Sequence, residues 1–218
     1  MDFEVIMRKS AVCLSFLLLG GTCLAQSPVP AAPVPAAGLS AAAAASNEPD
    51  QGWLSAYGHC RNAIRMQEVH TEVDSCRMAV DLAEKAGDKN PKDQVAMLQS
   101  YESYGQALLL LGRGPEALAA ENKAVDLART HLTDSDQEYA MPFYWRALVE
   151  SHFHDGANAS TDLGIVEDSY RKAMEKSPRM RMIYRQYLAR ILRQHAALLD
   201  AMGKTTDGDK LRAEATAL

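Results

Sequence analysis

The pentapeptide AVDLA occurs twice, at residues 79–83 and 124–128, each time inside the same kind of segment, CRMAVDLAEKA against NKAVDLART. A literal repeat constrains a fold strongly, because a unit that cannot bury its apolar side alone must stack on its neighbours. A third version is RKAMEKSP, with Ala173 in the place of Ala79 and Ala124, and a weaker fourth puts Ala215 there. Anchored on these alanines, Cys60, Gly105, Ala147 and Ala196 fall at matching places in the preceding segment. All are small, and two antiparallel helices approach closely only where their facing side chains are small. Gly112 ends the first helix of its pair and Pro115 enters the first turn of the next. From Gln51 onward apolar residues recur at helical spacing without alternating strands. The pattern is helix, short turn, helix, roughly every 45 residues. A hydrophobic share of 47% is enough to fill a core, and only 6% aromatics argue against a β-rich fold.

These residues resemble the tetratricopeptide repeat family, best at Tyr101, Gly105, Leu108, Gly112, Ala117 and Ala124, then at Ala147, Tyr170, Ala173 and Pro178. The period exceeds the usual 34 or so and is closer to the extended repeats of kinesin light chains, with GDKNPKD and HLTDSDQEY as inter-repeat loops. The resemblance implies an all-α, right-handed superhelical stack of antiparallel helix pairs, about four units, over residues 51–218. A HEAT-like helical array is the alternative. The third unit is longer between Ala147 and Ala173 than the second is between Gly105 and Ala124, and the surplus is expected as a long turn over residues 155–164.

Residues 1–25 read as a signal peptide. Arg8 and Lys9 precede the apolar run AVCLSFLLLGG, and Cys23-Leu24-Ala25 supplies the cleavage site. The run is short for a membrane span, and LGGT before Cys23 fits a lipoprotein site poorly. Asp2 and Glu4 sit oddly in a positive leader, which points to Met7 as the start. Residues 26–50, with the duplicated PVPAA and an alanine run, are expected to be a disordered spacer. Export, to a periplasm or outside the cell, leaves Cys60 and Cys76 in an oxidising compartment. The register puts them level on two touching helices, which favours a disulfide over two buried free thiols. It would bracket a short loop and pin the first repeat.

No catalytic constellation is visible: G-x-S-x-G, a phosphate loop, G-x-G-x-x-G and HExxH are all missing. Glu150, His152, His154 and Asp155 in ESHFHD suggest metal ligation, but residues two apart on a helix diverge, so a polar helix end is the better reading. Net charge of -5 disfavours nucleic acid. The stretch RMRMIYRQYLARILRQ carries five arginines and no acid, and its apolar face is claimed by neighbouring helices, which weighs against a membrane. In related repeats the first helix of each pair lines a concave groove. The resemblance therefore places Tyr57, Arg61, Arg65, Glu102, Gln106, Tyr144, His152, Arg190 and Arg193 along that groove. Arginines there suit an acidic segment or a C-terminal carboxylate. The expected function is protein–protein interaction without cofactor, metal or catalysis. The alternative is a structural or assembly subunit using its convex face or ends, and a metal-dependent enzyme comes third.

Overall fold

A computed structural model describes residues 51–66, 69–87 and 91–218. The expected signal peptide, the choice between Met1 and Met7, and the expected 26–50 spacer lie outside the described residues. Within them are α1 (Gln51–Met66), α2 (Val69–Ala86), α3 (Pro91–Leu110), α4 (Gly114–His131), α5 (Gln137–His152), α6 (Gly156–Lys176), a 3-10 turn (Pro178–Met180), α7 (Arg181–Ala201) and α8 (Thr205–Ala217). Consecutive helices pack, α1 also touches α3, and α3 touches α5. That is an all-α solenoid of four antiparallel pairs, in which contacts stay between neighbours.

The repeated pentapeptide works as its spacing demands. Ala79, Val80, Ala83, Ala124, Val125 and Ala128 are buried, while Asp81 and Asp126 face solvent. In the first pair Ala79 and Ala83 share a core with Trp53, Ala56 and Ala96. Trp53 Nε1 donates to Ser100 Oγ at 2.8 Å, and that hydroxyl donates to the Ala96 carbonyl at 2.7 Å, so the ring is buried with its donor satisfied.

Three of the hairpins turn in the same way. The N–H of Gly112 donates to the Leu109 carbonyl and that of Arg113 to Leu108, both at 2.9 Å. His154 and Asp155 repeat this on Ser151 and Glu150 (3.3 and 2.8 Å), and Gly203 and Lys204 on Asp200 and Leu199 (2.9 and 2.8 Å). This is the Schellman closure, whose bend residue is left-handed. The three φ values are 71° at Gly112, 68° at His154 and 76° at Gly203. His154 thus stands in a glycine's position, where a side chain costs about 1–2 kcal/mol. His154→Gly is expected to stabilise the fold by about 0.5–1 kcal/mol, net of glycine's chain entropy. Urea denaturation measures this directly; a lower midpoint for the variant would refute the assignment.

The same turn corrects the expectation of a long loop over residues 155–164. The chain bends at His154, Asp155 caps the next helix through the Asn158 N–H, and α6 starts at Gly156. The surplus is helix: α6 has 21 residues against 18 in α4, and the insertion adds roughly two turns before Ala173. A whole number of turns keeps the apolar stripe facing inward, with Ala159, Leu163, Val166, Tyr170 and Ala173 all buried.

Candidate partner-binding face

The first helices of the pairs are α1, α3, α5 and α7, and they carry all nine residues expected to line the groove. At the amino-terminal end Tyr57 stacks on Trp53, with ring centroids 5.1 Å apart. Its hydroxyl is pushed above the usual phenol range by burial, partly offset by Arg61 and by a hydrogen bond with Ser103. Arg61 is exposed and its field reaches Glu102 on α3. Gln106, one turn further along α3, is buried. Arg65 is exposed and bonds Asn62 Oδ1 at 2.6 Å. His152 is exposed at the far end of α5, edge-on to Phe153 at 4.9 Å.

Between α5 and α7 the second helix of the third pair intrudes. Tyr170 of α6 reaches Met141 Sδ on α5 (3.9 Å) and contacts two rings of α7, Tyr184 at 6.1 Å and Tyr187 at 5.8 Å. Tyr144 is buried beside it. Burial raises the Tyr170 phenol far above its ordinary range, with Tyr187 adding to the shift and Arg190 opposing it. Arg190 lies over the Tyr187 ring at 5.7 Å and is exposed. Arg193 turns elsewhere: its Nη2 donates to the Ala215 carbonyl of α8 at 3.3 Å. The four arginines therefore do not form one basic strip. Arg61 and Arg65 sit at one end, Arg190 belongs to a tyrosine cluster, and Arg193 is tied to its own hairpin.

Beneath α3 and α5 lies a group of buried carboxyls. Glu121 of α4 is fully buried, both its oxygens lack a hydrogen-bond partner, and its carboxyl rests on Gly105. Gly105 was expected to let backbones approach; its missing Cβ instead makes room for that carboxyl. Burial drives the Glu121 pKa well above the carboxylate range, helped by Glu102 and opposed by Arg146. Burial likewise raises Glu102 to about 8, against the pull of Arg61. Glu150 rises to about 7, through burial first and then Asp162. Arg146 offers Glu121 little because it is committed to Asp162 through two bonds, 2.6 and 2.8 Å, and to Asn122 at 2.9 Å. Only one signal could have exposed Glu121. It follows Gly105 at the spacing by which Cys76 follows Cys60, 16 residues, and both precede the AVDLA copies by three.

The third and fourth pairs are pinned by a chain that periodicity does not show. Ser160 Oγ and His195 Nε2 are 2.7 Å apart, and His195 Nδ1 and Glu167 Oε1 are also 2.7 Å apart. The order is that of a nucleophile, a base and its orienter. However, Ser160 lies inside α6 with its N–H in the helix ladder, and His195 and Glu167 are buried. The arrangement satisfies three polar groups at the α6–α7 contact and joins the two helices.

Cys60 and Cys76 form a disulfide with Cα atoms 4.6 Å apart, level on α1 and α2. No described helix is long and apolar enough to cross a membrane. Among the described residues no group of three or more His, Cys, Asp or Glu is placed to hold a metal.

No protein-family model matches the chain, and no curated protein sequence does. Among solved structures it is similar to the crystal structure of BtubC (BKLC) from P. vanneervenii. That similarity has a TM-score of 0.50 and 14% identity over 79% of this chain and 74% of the other. At that identity the likeness shows the helical-repeat fold alone.

Proposed function

We propose that this protein is an exported interaction module that holds a segment of a partner protein against the first helices of its pairs. The observation that carries the reading is the tyrosine cluster, where Tyr184 and Tyr187 of α7 pack on Tyr170 of α6 and Arg190 lies over Tyr187. Tyrosine and arginine on a rigid apolar base are the residue types that dominate binding energy at protein interfaces. Export rests on Arg8, Lys9, the apolar run and the Ala25 cleavage site, and the Cys60–Cys76 disulfide suits an oxidising compartment.

A second reading, an assembly subunit acting through its convex side or an end, has its own support. Arg181 and Arg185 line a cavity of about 450 Å³ with Arg171, Met174, Glu175 and Leu218, and Met182 and Ile183 are exposed beside it. A crosslinked pull-down with the full-length exported chain separates the two. Tyr187→Ala with Arg190→Glu is expected to abolish capture of the partner while leaving the far-ultraviolet circular dichroism unchanged. Unchanged capture by that variant, together with loss of capture by Arg181→Glu with Arg185→Glu, would transfer the function to that cavity.

A further inference from the structure

We propose that Glu102 and Glu138, on adjacent first helices of the partner-binding face, receive a cationic side chain, arginine or lysine, from the docked segment. The inference rests on the reading of that face as the docking surface and assigns the chemistry of one contact. It departs from the expectation of a purely acidic partner.

Glu102 is 8% exposed, and its Oε1 has no hydrogen-bond partner. Two exposed charges on the neighbouring first helices act on it, Arg61 of α1 and Glu138 of α5. The Glu138 side chain has no hydrogen bond or ion pair among the described residues. A third carboxyl, Glu121 of α4, stands behind Glu102. Of the cations acting on these acids, Arg146 is held by Asp162, which leaves Arg61. Among the described residues, Glu121 therefore has no free cation acting on it, and Glu102 has the field of Arg61 without a hydrogen bond to its Oε1.

An unpartnered carboxyl in a nearly dry place is costly, and a cation entering from outside would relieve it through a charge-assisted hydrogen bond. Two phenols are within electrostatic reach of these acids. Tyr57 is close enough to feel the Glu102 charge, and Tyr184 feels Glu138. Aromatic faces attract ammonium and guanidinium groups. Guanidinium is more weakly hydrated and more often buried, so arginine fits better than lysine.

The cation would also displace a proton. Held at about 8, Glu102 is largely protonated at pH 7, and a positive charge beside it favours the ionised form. Binding therefore releases protons to the buffer.

The test uses the full chain and three fluorescein-labelled peptides, AARAARA, AAEAAEA and AAAAAAA, read by anisotropy, with calorimetry in two buffers of different ionisation heat. The arginine peptide is expected to bind more tightly than the other two and to release protons at pH 7. Glu102→Gln and Glu138→Gln should each weaken it by about tenfold or more. Both variants are isosteric, and Glu102→Gln leaves a neutral group where the wild type holds a neutral acid, so the fold survives. Asp81→Asn removes an exposed acid on α2 and should change nothing, which excludes simple attraction to a chain of net charge -5.

Equal binding of the arginine and glutamate peptides, or indifference to Glu102→Gln, would overturn the proposal. The pull-down with Tyr187→Ala and Arg190→Glu is independent of these acids. A partner that requires Tyr187 and Arg190 but ignores Glu102 and Glu138 would keep the docking face and discard the cation contact.

Discussion

Glu121→Gln is expected to stabilise the protein at pH 8.5 and to do so by less at pH 5. Glutamine keeps the shape that fits over Gly105 and cannot ionise. In the wild type the folded pKa of Glu121 is raised well above the unfolded value, so the folded state binds more protons than the unfolded one. Glu102, at about 8, and Glu150, at about 7, act in the same direction. The linkage has one sign for all three. Their stabilising contribution is complete below an unfolded pKa of about 4.3 and is lost as pH rises through the folded values. Wild-type stability should accordingly fall, and its Tm with it, as pH rises from 5 to 8.5. Calorimetric scans of both proteins at the two pH values decide it. A wild-type Tm that is flat or rising over this window would show that Glu121 has found a partner or a route to water.

The disulfide predicts the second large effect. Cys60 and Cys76 are both fully buried, and the bond closes a separation of 16 residues in the first pair. Constraining a loop of that length in the unfolded chain stabilises the native state by roughly 3 kcal/mol. Replacing both cysteines by alanine should lower the Tm by about 6–12 °C. The loss should appear first in α1 and α2, because in a stack of repeats each pair is held by its own packing and its neighbours. Hydrogen exchange of the variant should show the backbone amides of α1 and α2 deprotected while those of α5 to α8 are unchanged. Uniform deprotection along the chain would contradict a local role.

Most of the architecture was legible because it depends on short-range regularities. The spacing of Ala79 and Ala83, copied at Ala124 and Ala128, states which stripe of each helix is buried. Gly112 and Pro115 state where one helix stops and the next begins. The disulfide followed from register, since equal distances from a turn put Cys60 and Cys76 at one level. The third hairpin defeated the same approach because His154 occupies a bend where glycine was the cue. LGRG, FHDG and MGKT at residues 111–114, 153–156 and 202–205 are one turn in three spellings. Left-handed geometry is a backbone property that a histidine can adopt at a cost, so residue identity conceals it.

The proposed partner-binding face was legible in outline only. Membership of the first helices could be read from the repeat, and all nine expected residues lie on them. Their partners could not. The Arg193 bond to α8, Arg190 over Tyr187 and the intrusion of Tyr170 between α5 and α7 depend on side-chain reach across helices distant in sequence. Glu121 shows the limit best. From its position it reads as one more acid of a helix surface, yet it is fully buried against a glycine 16 residues away, with Glu102 beside it. The sequence by itself determined the helices, their pairing and the inward stripe, because periodicity is a local property that packing must obey. Tertiary structure alone decided which charged groups are partnered, since burial and electrostatics depend on what every neighbouring helix brings to the same place.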